Sequence, residues 1–314
     1  MGTAISTVTG TVTGPGIPLE TNRIVTPLGI RFWDLTLNLP ITGGLTVNLR
    51  PANMAWPILT ARLTSAGVYA FFGLPGLQAA EHPNSSGYGP PRTLTYVVTV
   101  QDQLGRYLPT VLVYTMDETG AVVVNGVPDT TPGARLAYLF SAPTRPAPAG
   151  MAAVSAYLID QDANAPAAWA VVQIQVGSDP EIWSGIADDS GRVLVLVPFP
   201  VAQSMQGGSP PGSGQPNIGD DTWPLTVTAQ YSPGALGYPL SGAADLAWPW
   251  TDTPNLKDIL TLQQSATIWT SPASGGAEFY ATLTFGQSLV LRSSTGSPLS
   301  MSSSLNISQG SSPP

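Results

Sequence analysis

Arg31-Phe32-Trp33-Asp34-Leu35-Thr36-Leu37-Asn38-Leu39, followed by Gly43-Gly44 and Leu45-Thr46-Val47-Asn48-Leu49, is the stretch on which the fold assignment turns. Alternation places Leu35, Leu37 and Leu39 on one face of a strand, because side chains of an extended chain repeat every second residue. Gly43-Gly44 predicts a hairpin turn into the second run. Working outward, further strands are expected at 68–72, 94–100, 110–115, 121–124 and 136–140. Beyond them lie 153–159, 168–176, 193–197 and 225–231, then a last hairpin, 279–285 with 288–291, around Gly286-Gln287. Strands at this spacing, broken by glycine and proline, predict a mostly β protein with antiparallel sandwiches rather than βαβ units. The single helix expected is 255–265, where Leu256, Ile259, Leu260 and Gln263 have helical spacing and Pro254 stands at the start.

The length of 314 residues suggests two domains. Residues 1–28 are Thr-, Gly- and Pro-rich and read as an extended N-terminal arm. The first sandwich is expected over 29–140, and the second over 151–292. Between them Ser141-Ala142-Pro143-Thr144-Arg145-Pro146-Ala147-Pro148-Ala149-Gly150 reads as a proline-rich linker. The second sandwich carries a Gly/Pro/Ser-rich insertion at 203–221, too long for an ordinary hairpin loop. Residues 293–314, mostly Ser, Gly and Pro, read as a flexible tail.

Charge is scarce. Charged residues make up 10% of the chain against a hydrophobic fraction of 43%, where roughly 25% charged is ordinary. Surfaces so poor in charge suit proteins held within an assembly, since charge is depleted at interface cores. Residues 1–150 hold 8 Arg/Lys against 7 Asp/Glu, and residues 151–314 hold 3 against 12. An acidic second half and scattered arginines in the first argue against nucleic acid, which requires clustered Lys/Arg. The absence of cysteine excludes disulfides and thiolate metal sites. No apolar run approaches the ~20 residues of a membrane-spanning helix. The N-terminus lacks the basic start and apolar stretch of a signal peptide, so synthesis in the cytoplasm and no membrane insertion are expected.

Two segments share a local grammar. Ala61-Arg62-Leu63-Thr64-Ser65-Ala66-Gly67-Val68-Tyr69-Ala70-Phe71-Phe72-Gly73-Leu74-Pro75 is echoed by Gly185-Ile186-Ala187-Asp188-Asp189-Ser190-Gly191-Arg192-Val193-Leu194-Val195-Leu196-Val197-Pro198. In each, small polar residues lead to a glycine suited to positive φ, then a strand, then a proline that ends it. Asp189, and more weakly Ser65, could fold back onto turn amides. A third, fainter echo is Asp102-Gln103-Leu104-Gly105. The pattern resembles the transthyretin-like, carboxypeptidase-regulatory-like β-sandwich. In chain order, residues 67–77, 139–151, 166–172, 185–192 and 287–292 also resemble accessory β-sandwich proteins encoded with phage-tail-like contractile injection systems. That resemblance implies a particle component, oligomeric and associated with cap, tube or sheath subunits.

Few residues offer chemistry. His82, in Glu81-His82-Pro83-Asn84, reads as a loop histidine, and no Gly-x-Ser-x-Gly elbow accompanies it. Asp188-Asp189, Asp220-Asp221, Asp160 and Asp162 could offer oxygen to Ca²⁺, but turn and solvation duties fit them better. No catalytic, cofactor or metal site is expected. Trp248 and Trp250 flank a proline, and with Ile17 and Leu19 of the arm they are the protein-contact candidates. The rival reading is an adhesin or glycan-binding module using Trp169, Trp183, Trp223, Trp248, Trp250 and Trp269 as stacking surfaces.

Overall fold

The computed structural model describes residues 26–52, 56–77, 81, 93–124, 127–129, 133–200, 221–246, 249–294 and 302–309. The protein is mostly β, and it forms two compact units.

The strands of unit 1 are β1 (Leu28–Asp34), β2 (Leu39–Pro40), β3 (Leu45–Pro51), β4 (Leu59–Thr60), β5 (Arg62–Leu63) and β6 (Tyr69–Phe71). They continue with β7 (Thr93–Asp102), β8 (Thr110–Asp117), β9 (Val122–Val124), β10 (Val127–Asp129) and β11 (Arg135–Leu139). One sheet runs β11-β1-β6-β5 with β2 beside β1, and the other runs β10-β9-β8-β7-β3-β4. Leu28, Ile30 and Phe32 of β1, Val47 and Leu49 of β3, and Tyr96, Val98 and Val100 of β7 are all buried, each set two residues apart as a pleated strand requires. The Phe32 and Tyr69 rings meet edge to face at 5.3 Å.

Unit 2 contains β12 (Met151–Asp160), β13 (Ala165–Pro166), β14 (Val171–Val176), β15 (Ile182–Ile186), β16 (Arg192–Pro198) and β17 (Thr222–Gln230). After α1 (Leu256–Thr261) come β18 (Ala266–Ser271), β19 (Ser274–Gly276), β20 (Glu278–Thr284), β21 (Leu289–Leu291) and β22 (Leu305–Gln309). One sheet runs β13-β12-β22-β18-β19 with β16 and β21 on β12, and the other runs β15-β14-β17-β20. Alternate residues of β12, β16, β14 and β17 interleave into a single apolar core, the arrangement of two packed sheets.

The two units repeat one topology. The β1 strand lies antiparallel to β6 and parallel to β11; β12 lies antiparallel to β16 and parallel to β21 and β22. In the facing sheets, the order β4-β3-β7-β8 matches β15-β14-β17-β20.

The decisive stretch at 31–49 folds differently from its alternation. The first strand ends at Asp34, whose buried carboxylate accepts the Thr36 and Leu37 amides at 2.9 and 3.1 Å. Asn38 then takes a φ of 52°, which Asn tolerates better than most residues, and the chain returns as β2. A carboxylate that can satisfy two amides wins over continued alternation. Unit 2 repeats this turn: Asp160 accepts the Asp162 and Ala163 amides at 2.9 and 3.2 Å, Asn164 has φ 51°, and β13 follows. Both obey Asp-x-x-x-Asn-x-Pro, ending at Pro40 and Pro166.

Three further expectations are corrected. Gly43-Gly44 makes no hairpin, because β2 and β3 belong to opposite sheets. Gly286-Gln287 likewise joins strands of different sheets: β20 pairs with β17, whereas β21 pairs with β12. The expected flexible tail contains β22, held between β12 and β18, with Leu305 and Ile307 buried where their two-residue spacing faces the core. The helix forms over a shorter span than expected, capped by Asn255, whose side chain accepts from the Lys257 amide.

The units also interleave along the chain. Unit 1 comprises 1–104, 109–139 and 239–253; unit 2 comprises 105–108, 140–238 and 254–314. Residues 141–150 are built into unit 2: Ser141 bridges Tyr107, and the buried Arg145 lies 5.0 Å over the Tyr107 ring while donating to Ser141 Oγ at 3.1 Å. Residues 239–253, inside the expected second sandwich, belong to unit 1. Their Leu240, Ala243, Leu246 and Trp250 cover Val97 and Val111.

Candidate interaction surface

Asp188-Asp189-Ser190-Gly191 shows how the shared grammar works. Asp188 supplies a carboxylate to the turn: its Oδ1 accepts the Ser190 amide at 3.0 Å, the Ser190 hydroxyl at 3.0 Å and the Arg192 amide at 2.8 Å. Its own amide donates to Arg192 O, and Gly191 N returns to Asp188 O. In unit 1, Thr64 rather than Ser65 fills the place, its Oγ1 accepting the Val68 amide at 3.1 Å. A true third copy is Asp117-Glu118-Thr119-Gly120, where Asp117 Oδ1 accepts the Thr119 and Ala121 amides, both at 2.9 Å. In Asp102-Gln103-Leu104-Gly105, Gln103 N donates to Gly44 O.

These bonds define what the carboxylates do. Asp160 and Asp188 spend an oxygen on turn amides, and Asp221 contributes its backbone carbonyl to the Phe285 amide. Among the described residues, no three His, Asp or Glu side chains are grouped to hold a metal ion. Asp220 and His82 lie outside the described residues. Glu81, next to His82, is buried, and its Oε1 accepts the Gly73 and Leu74 amides at 2.6 and 3.1 Å. Beside it the Tyr96 hydroxyl donates to Pro75 O at 2.6 Å. Burial, then the Glu81 charge, pushes the Tyr96 phenol up to about 12. Burial likewise pushes Tyr114 up to about 12, against the pull of Arg135. These phenols stay neutral at any physiological pH.

The tryptophans divide among packing roles. Trp169 and Trp223 are buried in unit 2, with Trp223 against the Phe199 and Phe285 rings at 6.2 and 6.3 Å. Trp183 packs on the same core, and Trp269 Nε1 donates to Ser308 Oγ at 2.9 Å. Trp250 is half-buried over Val97 and Val111 in unit 1, where Asp245 of the same segment is tied to Arg50 at 3.0 Å. The Arg50 hydrogen bond holds the Asp245 carboxyl below the usual range. Trp248, Ile17 and Leu19, and all of the 203–221 insertion except Asp221, lie outside the described residues.

A surface missed by sequence reading lies on unit 1. The parallel register sets Arg31 beside Leu136 and Trp33 beside Tyr138, and the antiparallel register sets Trp33 beside Pro40. Side chains paired this way share one face. It is the outer face, since Ile30, Phe32, Ala137 and Leu139 point into the core. Leu136 is 51% exposed and Tyr138 41% exposed, and Trp33 is fixed by donating from Nε1 to Asn38 Oδ1 at 2.9 Å. Strand β11 ends its sheet: among the described residues it pairs with β1 alone. Its only charged residue, Arg135, is turned to Asp129 in an ion pair. Alternation at 136–140 marked the strand. Its edge position depends on a parallel partner about a hundred residues upstream, which no local signal gives.

The chain matches no known protein family and no curated protein. Among solved structures it is similar to the Bacillus anthracis TIE protein, at 12% identity and a TM-score of 0.20, over 68% of this chain and 30% of that one. It is also similar to the C-terminal fragment of the pilus adhesin SpaC from Lactobacillus rhamnosus GG, at 11% identity and a TM-score of 0.21, over 90% of this chain and 96% of that one. The chain thus spans under a third of the TIE protein's length, and superpositions this loose carry no inference about function.

Proposed function

We propose that this protein is a non-enzymatic assembly subunit that works through protein–protein contacts, as a structural component of a contractile injection particle, at or near its cap. The observation that carries the contact role is the outer face of unit 1: Leu136, Tyr138, Trp33 and Arg31 beside a sheet edge with no free charge. Exposed edges are ordinarily blunted by lysine, proline, bulges or a covering element. The scarcity of charge along the whole chain supports the same reading. The particle itself rests on the sequence resemblance alone.

The test is mass-resolved sizing of the purified chain, alone and after mixing with tube, sheath and cap proteins of such a particle. Co-sedimentation with the particle is the expected result. A clean monomer of 32.6 kDa that ignores the particle overturns the proposal.

A further inference from the structure

The loop that joins β14 to β15 holds one peptide bond unlike any other in the chain. Among 32 prolines, only Pro180 follows an aspartate. The nitrogen of an X–Pro bond is a tertiary amide without an N–H. It takes up a proton more readily than a secondary amide and departs as a secondary amine. An aspartate before it places a carboxyl group where attack on its own carbonyl carbon closes a five-membered ring. Such an attack is internal, so no second molecule has to be brought into position.

The fold sets two donors around this bond. Residues 177–181 connect Val176 to Ile182, and Ser178, Asp179 and Pro180 are all exposed, so water reaches them. Asp179 N donates to Val176 O at 3.1 Å, which ties the residue to the end of β14. Glu181 N donates to Asp179 Oδ1 at 3.0 Å, and this draws the carboxylate to the carbonyl side of its own Cα. Gln175 Nε2 donates to Asp179 O at 2.7 Å, the carbonyl oxygen of the Asp179–Pro180 bond itself. The Gln175 backbone is held on both sides, opposite Ile182 of β15 and Thr226 of β17. A donor fixed on a carbonyl oxygen stabilises the negative charge that gathers there when the carbon is attacked.

We propose that the Asp179–Pro180 bond is an acid-triggered self-cleavage site, with the Asp179 carboxyl group as nucleophile and Gln175 as the oxyanion donor. A side-chain carboxyl oxygen of Asp179 bonds to the Asp179 carbonyl carbon, whose oxygen takes negative charge against Gln175 Nε2. The C–N bond to Pro180 then breaks, and the Pro180 nitrogen leaves with a proton supplied by the acidic solvent. One water opens the cyclic anhydride left at Asp179. In sum, one peptide bond is hydrolysed to a carboxyl group and a secondary amine, and nothing is oxidised or reduced. The products are chains 1–179 and 180–314. They stay together, because β15 keeps its register with β14 from Val171↔Ile186 to Gln175↔Ile182, and β14 keeps its register with β17. The step acts once, on its own chain, and yields a nicked two-chain protein rather than a turnover enzyme.

The test compares the folded full chain with the same chain unfolded in urea, at the lowest pH that preserves the native far-UV circular dichroism, following cleavage by intact mass. The expected result is a single cut between Asp179 and Pro180, at least about tenfold faster in the folded chain; the open site keeps the gain below the roughly 100–1000-fold of an enclosed oxyanion donor. Gln175→Met keeps the length of the side chain without its donor and should bring the folded rate down to the unfolded one. Pro180→Ala keeps the carboxylate but makes the bond a secondary amide, and should abolish the cut. Neither residue belongs to the apolar core of unit 2. Equal rates in the folded and unfolded chains overturn the proposal. So does a Gln175→Met protein cut as fast as its parent, or a cut that survives Pro180→Ala.

Discussion

Gly191→Ala separates two costs that a left-handed glycine can carry. At a φ of +79° an L side chain pays about 1–2 kcal/mol of backbone strain. A Cβ at Gly191 would also sit 2.5 Å from Leu158 O and 3.3 Å from Ala167 N and Pro166 Cβ. Leu158 O cannot retreat freely. It accepts the Ala167 amide at 3.0 Å, while Leu158 N donates to Gly191 O at 2.7 Å, so both groups are pinned to the turn. Crowding of this kind costs about 1–3 kcal/mol more. Gly286→Ala is the matched comparison: φ is +71°, and nothing lies within 4 Å of the added methyl. It should cost the strain alone, about 1–2 kcal/mol. Both sites lie in unit 2, so urea unfolding can be followed by the fluorescence of Trp169, Trp183, Trp223 and Trp269. Gly191→Ala should lower the stability of that transition by about 2–5 kcal/mol in total. Equal losses at the two sites, within about 0.5 kcal/mol, would refute the claim that backbone contact at Gly191 adds to its strain.

Trp250→Ala should weaken unit 1 by about 1–3 kcal/mol, less than a fully buried tryptophan, and should leave the unit 2 transition in place; a shift confined to unit 2 would be inconsistent with its packing on Val97 and Val111. Asp188→Ala removes the acceptor for the Ser190 and Arg192 amides and should cost about 1–2 kcal/mol by denaturant unfolding, with Asp188→Asn recovering part because its amide oxygen still accepts. Unit 1 should lose stability in alkali. The folded pKa values of Tyr96 and Tyr114, about 12, lie above the ordinary value of 10.0, so their contribution is complete below pH 10 and disappears as pH rises towards 12. Phenolate absorbance during an alkaline titration should show these rings ionising late, together with loss of the fold; their ionisation near pH 10 in a folded chain would contradict it.

Strand existence was legible in the sequence wherever alternation was long, as in β7, β12, β14 and β17, because burial of one face imposes that spacing directly. Strand endings were less legible. At Asp34 an apolar alternation continued while a carboxylate halted the strand, and the same turn recurs at Asp160. The Asp-x-x-x-Asn-x-Pro repeat was present to be read, but its meaning lies in hydrogen bonds rather than hydropathy. Sheet membership was hidden at Gly43-Gly44 and Gly286-Gln287, since a glycine pair turns equally well within a sheet and between two. The short β22 was masked by its serine-rich surroundings, although Leu305 and Ile307 keep the spacing of a buried face. Of the contact candidates, Trp250 had a visible aromatic signal, and it packs, half-buried, on the apolar cluster of unit 1. The Leu136–Tyr138 edge needed the parallel register with β1, a contact distant in sequence.

The return of residues 239–253 to unit 1 sets the order in which the chain can mature during translation. When residue 140 leaves the ribosome every strand of the first sandwich has been made, yet the outer side of its β7–β8 sheet still lacks Leu240, Leu246 and Trp250. About a hundred residues must follow before that side is sealed, a wait of roughly 5–20 seconds at ordinary elongation rates. Through that interval Val97 and Val111 face solvent. A fragment cut at the proline-rich segment would leave the same side exposed permanently.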